Sequence, residues 1–121
     1  MKIEYEDNHL LIINKASGEL SQSDYTKDPS LVDKLKNYLK VKYQKSGNVY
    51  LGLVNRLDRP TTGLLIFTKT SKALSRMNKL LKERKIKKTY WAITEEKPEF
   101  DEGKLINYLI KNQSKNKSFV V

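Results

Sequence analysis

The stretch Asn55–Thr70, NRLDRPTTGLLIFTKT, places one carboxylate between two arginines and follows it with a turn and an apolar run. The Pro and Gly after the carboxylate favour a turn, and the LLIF run has the length and composition of a short buried strand. Asp58 is therefore predicted to lie in a loop at the mouth of a strand, where Arg56 and Arg59 are expected to keep it ionised at neutral pH. Because loops braced by rigid elements often carry catalytic residues, Asp58 is the leading catalytic candidate.

The sequence on either side of this stretch predicts further strands and helices. Alternating patterns and short apolar runs predict strands over residues 2–6, 10–13, 49–54, 64–67, 87–94, 104–110 and 118–121. Two amphipathic patterns predict helices, one starting at the capping-box pair Ser30 and Asp33 and the other extending from Ser71 to Arg84. Since strands and helices interleave without strict alternation, we expect an α+β fold with a mixed sheet.

The chain has 121 residues, enough for one domain with a real core, so residues 1–121 are expected to form a single domain. No apolar stretch reaches the ~20 residues of a membrane span. The first residues lack the pattern of a secretion signal, and a cytoplasmic location is expected. The chain has no cysteine and one histidine, which excludes disulfides and thiolate chemistry, and no metal site is expected.

Twenty-four Lys and Arg against fourteen Asp and Glu give a formal net charge of +10, as expected of a protein that binds a polyanion. A lysine bias spread over the whole chain is the alternative. The charge is concentrated, however, because residues 69–88 contain nine basic side chains and one acidic one. RNA is therefore the expected partner, although a solvated helix face would show the same pattern. The candidate phosphate contacts in this region are Lys69, Lys72, Arg76, Lys79 and Lys88.

Three motifs in order resemble those of the RluA family of pseudouridine synthases. Asn55–Thr70 resembles the family's HRLD signature and the apolar strand after it, Asn14–Gly18 resembles its "NKPAG" element, and Lys88–Tyr90 resembles its "K-x-Y" element. Asn55 stands where the family usually has histidine. The family's last motif, an Arg-containing strand and turn, has no counterpart in the chain. We therefore expect the chain to correspond to the N-terminal portion of the catalytic domain.

The resemblance implies a mainly antiparallel mixed sheet with flanking helices and a central cleft. It also implies conversion of uridine to pseudouridine in ribosomal or transfer RNA, a redox-neutral isomerisation that needs no cofactor. Asp58 would be the catalytic carboxylate, acting on the sugar, on the uracil ring or through a glycal, and the sequence leaves these routes open. Without the motif, Asp58 could equally cap a turn or pair with Arg59 for packing alone.

Two further residues receive roles from the resemblance. Tyr90 would stack on the target uracil and help to remove its C5 proton, while Arg56 would occupy the space left by a flipped-out base. Arg59 is the second candidate for RNA contact at this loop. Without the resemblance, Tyr90 is a core tyrosine and Arg56 a partner for a carboxylate or carbonyl. For the chain as a whole, the alternative to an isomerase is a non-catalytic RNA-binding remnant of such an enzyme.

Overall fold

The computed structural model describes residues 1–121, and backbone contacts divide them into two compact units, Met1–Lys87 and Lys88–Val121. The single domain expected from the sequence stays a prediction. The elements of the first unit are β1 (Lys2–Glu6), β2 (Leu10–Lys15), α1 (Leu31–Lys42), β3 (Gly52–Leu53), β4 (Gly63–Thr68) and α2 (Ser71–Lys82). The second unit contains β5 (Leu109–Asn112) and β6 (Lys117–Val120).

The first unit is built on a four-stranded sheet in the order β1-β2-β4-β3, in which every neighbouring pair is antiparallel. Parallel pairing is confined to a single bridge between Leu20 and Ser30. The α+β fold with a mainly antiparallel sheet is confirmed. Strands β2 and β4 pair along their whole length, from Leu10 opposite Thr68 to Lys15 opposite Gly63. The loop that carries Asp58 therefore enters β4 beside the end of β2.

One face of this sheet forms the core with α1. Because side chains alternate along a strand, every second residue of β2 and β4 lies on the same face. The residues buried there are Leu11, Ile13, Leu65 and Phe67 from the strands and Leu31, Leu35 and Leu39 from the helix. Full burial of each such side chain contributes about 1.5–3 kcal/mol as an upper estimate. The core thus fixes the end of β2 and the start of β4, which lie beside the Asp58 loop.

Both helices begin where the sequence predicts. The Ser30 hydroxyl accepts a hydrogen bond from the Asp33 amide at 3.2 Å, and the Asp33 carboxylate accepts one from the Ser30 amide at 3.1 Å, which completes the capping box. Thr70 caps α2 by accepting from the Ala73 amide at 3.1 Å. Helix α2 was expected to extend to Arg84, but it ends at Lys82, because Arg84 adopts a left-handed conformation with φ of 55°. No helix in the structure has the length and apolar character needed to cross a membrane.

The strand predictions outside this core are only partly correct. The strand expected over 49–54 is reduced to Gly52–Leu53, which pairs with the last two residues of β4. Residues 87–94 alternate in polarity but form no strand, because no other segment pairs with them. The strand expected over 104–110 begins only at Leu109, where pairing with β6 across the turn becomes possible. An alternating pattern therefore produced a strand only where a partner strand was within reach.

Candidate active site

The loop between β3 and β4 starts from a fixed point at Asn55. The Asn55 side-chain amide donates from Nδ2 to the Leu64 carbonyl at 3.2 Å and accepts at Oδ1 from the Ile66 amide at 2.9 Å. An asparagine amide carries both a donor and an acceptor, so it can replace one residue of a strand ladder. Asn55 thereby extends the pairing of β3 with β4. The residue that departs from the family's histidine has a defined structural role here.

Leu57, the residue before Asp58, is held by a single hydroxyl group. Ser21 Oγ donates to the Leu57 carbonyl at 2.9 Å, and it accepts from the Leu57 amide at 3.3 Å. Ser21 is buried, and the Leu57 side chain packs against the core. A buried hydroxyl that both donates and accepts satisfies two main-chain groups at once. The backbone before Asp58 is thus fixed in position.

Arg59, the residue after Asp58, is held just as firmly. Its carbonyl accepts from the Gly18 amide at 2.8 Å, and its Nε donates to the Gly18 carbonyl at 2.9 Å. Its guanidinium also forms an ion pair with Asp28 at 2.9 Å. Gly18 has φ of +91°, a conformation that favours glycine, which explains a glycine in this turn. Arg59 is therefore paired with Asp28 and not with Asp58.

Lys15 binds the main chain of the Asp58 loop through its side chain. Its side chain is buried, and Nζ donates to the carbonyls of Ala16 at 3.1 Å, Arg59 at 2.8 Å and Thr61 at 2.6 Å. Burial is the largest influence on this ammonium group and lowers its pKa below the ordinary value. The motifs in the sequence predict no role for Lys15. The available signal was its register, because Lys15 continues the buried face of β2 after Leu11 and Ile13.

Asp58 itself is exposed, and its carboxylate makes no hydrogen bond or ion pair within the chain. Only its main-chain carbonyl is engaged, accepting from the Thr61 amide at 2.9 Å to close the turn. Neither alternative for Asp58, capping by its side chain or pairing with Arg59, occurs in the structure. The side chain of Arg56 is also exposed and without an ion-pair partner. A free carboxylate and a free guanidinium thus lie on a loop whose flanking residues are fixed.

The basic side chains predicted to bind RNA fall into two groups. Lys72, Arg76 and Lys79 are exposed on α2, and their spacing of four and three residues places them along one stripe of the helix. Lys69 differs, because its ammonium forms an ion pair with Glu6 at 2.6 Å and is only 13% exposed. These contacts give Lys69 a structural role, and its contact with RNA stays a prediction.

Tyr90 and Lys88 belong to the second unit. Both side chains are exposed, and they lie in a segment without regular secondary structure. Their predicted roles at the uracil and at the RNA backbone stay predictions. Neither unit contains a group of three or more His, Asp or Glu side chains arranged to hold a metal ion.

Comparisons of the sequence with known proteins show relatives over most of the chain. The sequence pattern of RNA pseudouridylate synthases matches residues 9–121. The ribosomal large subunit pseudouridine synthase C of Buchnera aphidicola subsp. Acyrthosiphon pisum is 35% identical over 120 residues, which cover 99% of this chain and 36% of that protein. Its counterpart from Buchnera aphidicola subsp. Baizongia pistaciae is 39% identical over 89 residues, covering 74% and 26%.

The fold is also found in a solved structure. The human RNA pseudouridylate synthase domain containing 4 protein matches with a TM-score of 0.58 and 24% identity, over 69% of this chain and 30% of that one. The chain spans about a third of the length of the curated relatives that it matches. The resemblance to the RluA family drawn from three short motifs is confirmed, and the chain belongs to the RNA pseudouridylate synthase family.

Proposed function

We propose that this chain carries the catalytic carboxylate of an isomerase that converts uridine to pseudouridine in ribosomal or transfer RNA. The observation that carries the proposal is the state of Asp58. Its carboxylate is exposed and unpaired, while Leu57 before it and Arg59 after it are held by buried or reciprocal hydrogen bonds. A side chain kept only to support the fold would not need a rigid loop that leaves its own charge free.

The reaction requires little more than such a carboxylate. The bond between ribose C1′ and uracil N1 breaks, the base turns, and C1′ bonds to C5, while the C5 proton is lost and N1 gains one. Atoms and electrons balance within the nucleotide, so no oxidant or reductant takes part. Asp58 would stabilise or trap the separated sugar or base during this rearrangement. Arg56, two residues away and free of ion pairs, is suited to the space left by the flipped base.

The exposed cations of α2 support an RNA substrate. Lys72, Arg76 and Lys79 present positive charge along one helical stripe of a chain whose net charge is +10. Contacts of this kind supply affinity and orientation and do not read sequence. The named relatives act on the ribosomal large subunit, which makes ribosomal RNA the first substrate to test.

RNA binding without turnover is the second candidate. It is favoured by one observation, namely that the chain spans about a third of the length of the relatives it matches. In that case the α2 stripe and the Asp58 loop would bind RNA while the isomerisation required further residues. The two candidates make different predictions for the same substitution at Asp58.

A tritium-release assay separates them. Ribosomal and transfer RNA carrying uridine labelled at C5 are incubated with the protein, and label released to water is counted. The isomerase should release label, and Asp58→Asn should release none while binding RNA with similar affinity. Asp101→Asn, which removes an exposed carboxylate from the second unit, is the matched control and should keep full activity. Release by Asp58→Asn at the unsubstituted rate would refute the assignment, and RNA binding without any release would favour the second candidate.

A further inference from the structure

A second feature of the first unit lies away from Asp58 and has no part in the proposed chemistry. A cavity of about 220 Å³ opens where β4 leads into α2, and its wall includes Tyr43, Tyr50, Lys45, Lys69 and Thr70. This volume is below the ~300–1,000 Å³ typical of sites for whole small-molecule ligands. The cavity therefore suits one flat group, such as a single base, better than a larger molecule.

The aromatic side of the cavity is held rigidly. The Tyr43 hydroxyl donates to Glu6 at 2.6 Å and accepts from Lys69 Nζ at 3.1 Å. The same ammonium lies 4.9 Å from the centre of the Tyr43 ring, and that of Lys42 lies 5.4 Å from it. Tyr43 nevertheless remains 47% exposed. Its ring is thus a fixed aromatic surface open to a ligand.

Tyr50 and Lys45 complete the site. Tyr50 is 43% exposed and makes no hydrogen bond, so its ring can adjust to an incoming group. The Lys45 ammonium forms no ion pair. Lys42, Lys69 and Lys45 form a cluster of ammonium groups at the cavity, and Glu6 is the one carboxylate in it. Glu6 forms ion pairs with Lys42 and Lys69. With Lys45 included, the cluster has an excess of positive charge, which fits a ligand that combines a ring with a phosphate.

The cavity also lies at a useful distance from Asp58. The Asp58 loop adjoins Gly63 at the start of β4, while Lys69 and Thr70 follow the last residue of that strand. Six residues of strand at a rise of about 3.3 Å separate the two positions by roughly 17–20 Å. At a stacked rise of about 3.4 Å per nucleotide, some five nucleotides would cover that distance. One RNA strand with a uridine at Asp58 can therefore reach the cavity.

We propose that this cavity binds one unpaired nucleotide of the RNA, a few residues along the strand from the target uridine. The base stacks on Tyr43 and Tyr50, and its phosphate contacts Lys45. Stacking on aromatic side chains is tolerant of sequence and is a common mode of single-strand binding. The inference rests on the proposed function, since it takes RNA as the substrate. It adds that the RNA flanking the target uridine is bound in single-stranded form.

The test measures how tightly the 121-residue chain binds two RNAs of equal charge. One is a 13-mer of uridine, and the other is a 13-mer in which only the central residue carries a base. Fluorescence anisotropy in one buffer gives both affinities. We expect the complete 13-mer to bind about tenfold more tightly, because its bases can occupy the Asp58 site and stack in the cavity at the same time, whereas the single base of the second RNA can fill only one of these positions. Tyr50→Ala should reduce this preference to about twofold.

Controls separate this proposal from the assignment of Asp58. Tyr25→Ala removes an exposed tyrosine outside the cavity and should keep the full preference. Asp58→Asn should also keep it, so a failure to release tritium would leave this result standing. A thermal melt shows whether each variant is folded. Equal affinity of the unsubstituted protein for the two RNAs, no measurable binding of either, or an unchanged preference in folded Tyr50→Ala would each overturn the proposal.

Discussion

Replacing Lys15 by methionine tests how the Asp58 loop is held in place. Methionine keeps most of the buried apolar stem of lysine and removes only the ammonium group. That group donates to the carbonyls of Ala16, Arg59 and Thr61, which lie at 3.1, 2.8 and 2.6 Å. The substitution therefore removes the one side chain that joins the end of β2 to both sides of the turn after Asp58.

The size of the effect follows from the alternative partners of the three carbonyls. The Arg59 carbonyl also accepts from the Gly18 amide, and the Ala16 carbonyl also accepts from the Glu19 amide. Thr61 has no second donor, so its bond to Lys15 is the one without a substitute. A hydrogen bond to a charged group contributes about 1.5–3 kcal/mol, and we expect Lys15→Met to lower the free energy of unfolding by about 2 kcal/mol.

Thermal unfolding followed by circular dichroism at pH 7 measures this change. The first unit, Met1–Lys87, is shorter than 100 residues, and at that size a loss of about 2 kcal/mol in the free energy of unfolding lowers Tm by roughly 8–16 °C. Lys34→Met, at an exposed position of α1, is the matched control and should change Tm by no more than about 2 °C. If Lys15→Met melts within that margin of the unsubstituted protein, then Lys15 does not hold the loop and the reasoning is refuted.

Three other perturbations test separate parts of the structure. Burial works to raise the pKa of Glu6, but four hydrogen bonds donated to its carboxylate hold that pKa well below its usual range. The stability that ionised Glu6 contributes is therefore present above about pH 4.3 and is lost as the pH falls below that value. Glu6→Gln should lower Tm at pH 7 and should remove part of the further loss between pH 5 and 3, the rest coming from other carboxylates with lowered pKa values, and parallel pH profiles for the two proteins would contradict this. In a denaturant titration, Gly18→Ala should lower the free energy of unfolding by about 1 kcal/mol, because alanine rarely adopts the φ of +91° found there. Gly47→Ala, where an added Cβ also meets no atom, should leave the free energy of unfolding unchanged or raise it. Lys82 is exposed and lies three residues after Lys79, so it continues the α2 stripe of Lys72, Arg76 and Lys79. The double substitution Lys79→Glu and Lys82→Glu should weaken RNA binding and reduce the slope of log affinity against log salt by about 1.4 or more, and an unchanged slope would show that α2 is only a solvated face.

Local patterns predicted most of the first unit correctly. The capping box at Ser30 and Asp33 and the threonine cap of α2 depend on residues three positions apart, so the sequence contains all of their partners. Strands β1, β2 and β4 were predicted from alternation and apolar runs of four or five residues. The position of Asp58 in a loop before β4 followed from the Pro and Gly of the turn. Each of these features is decided within a few residues of chain.

The errors fall where a partner distant in sequence decides the outcome. Residues 87–94 have the alternation of a strand but no strand to pair with, and residues 104–107 are likewise unpaired. The ion-pair partner of Lys69 was also not predictable from the sequence, because Glu6, which lies 2.6 Å from its ammonium, is 63 residues earlier; the contact of Lys69 with RNA stays a prediction. A side chain's chemistry can be read from the sequence, but its partner in space cannot.

The sequence by itself determined the family, the capped helices and the identity of the loop that carries Asp58, because three short motifs and local periodicity contain that information. Only the tertiary structure showed why Asp58 is free, since the groups that engage its neighbours come from Lys15, Ser21 and Asp28. The bonds from these residues to the loop cross 31 to 46 positions of chain. Such contacts form only when the core brings β2 beside β4, and no pattern over a few residues encodes them.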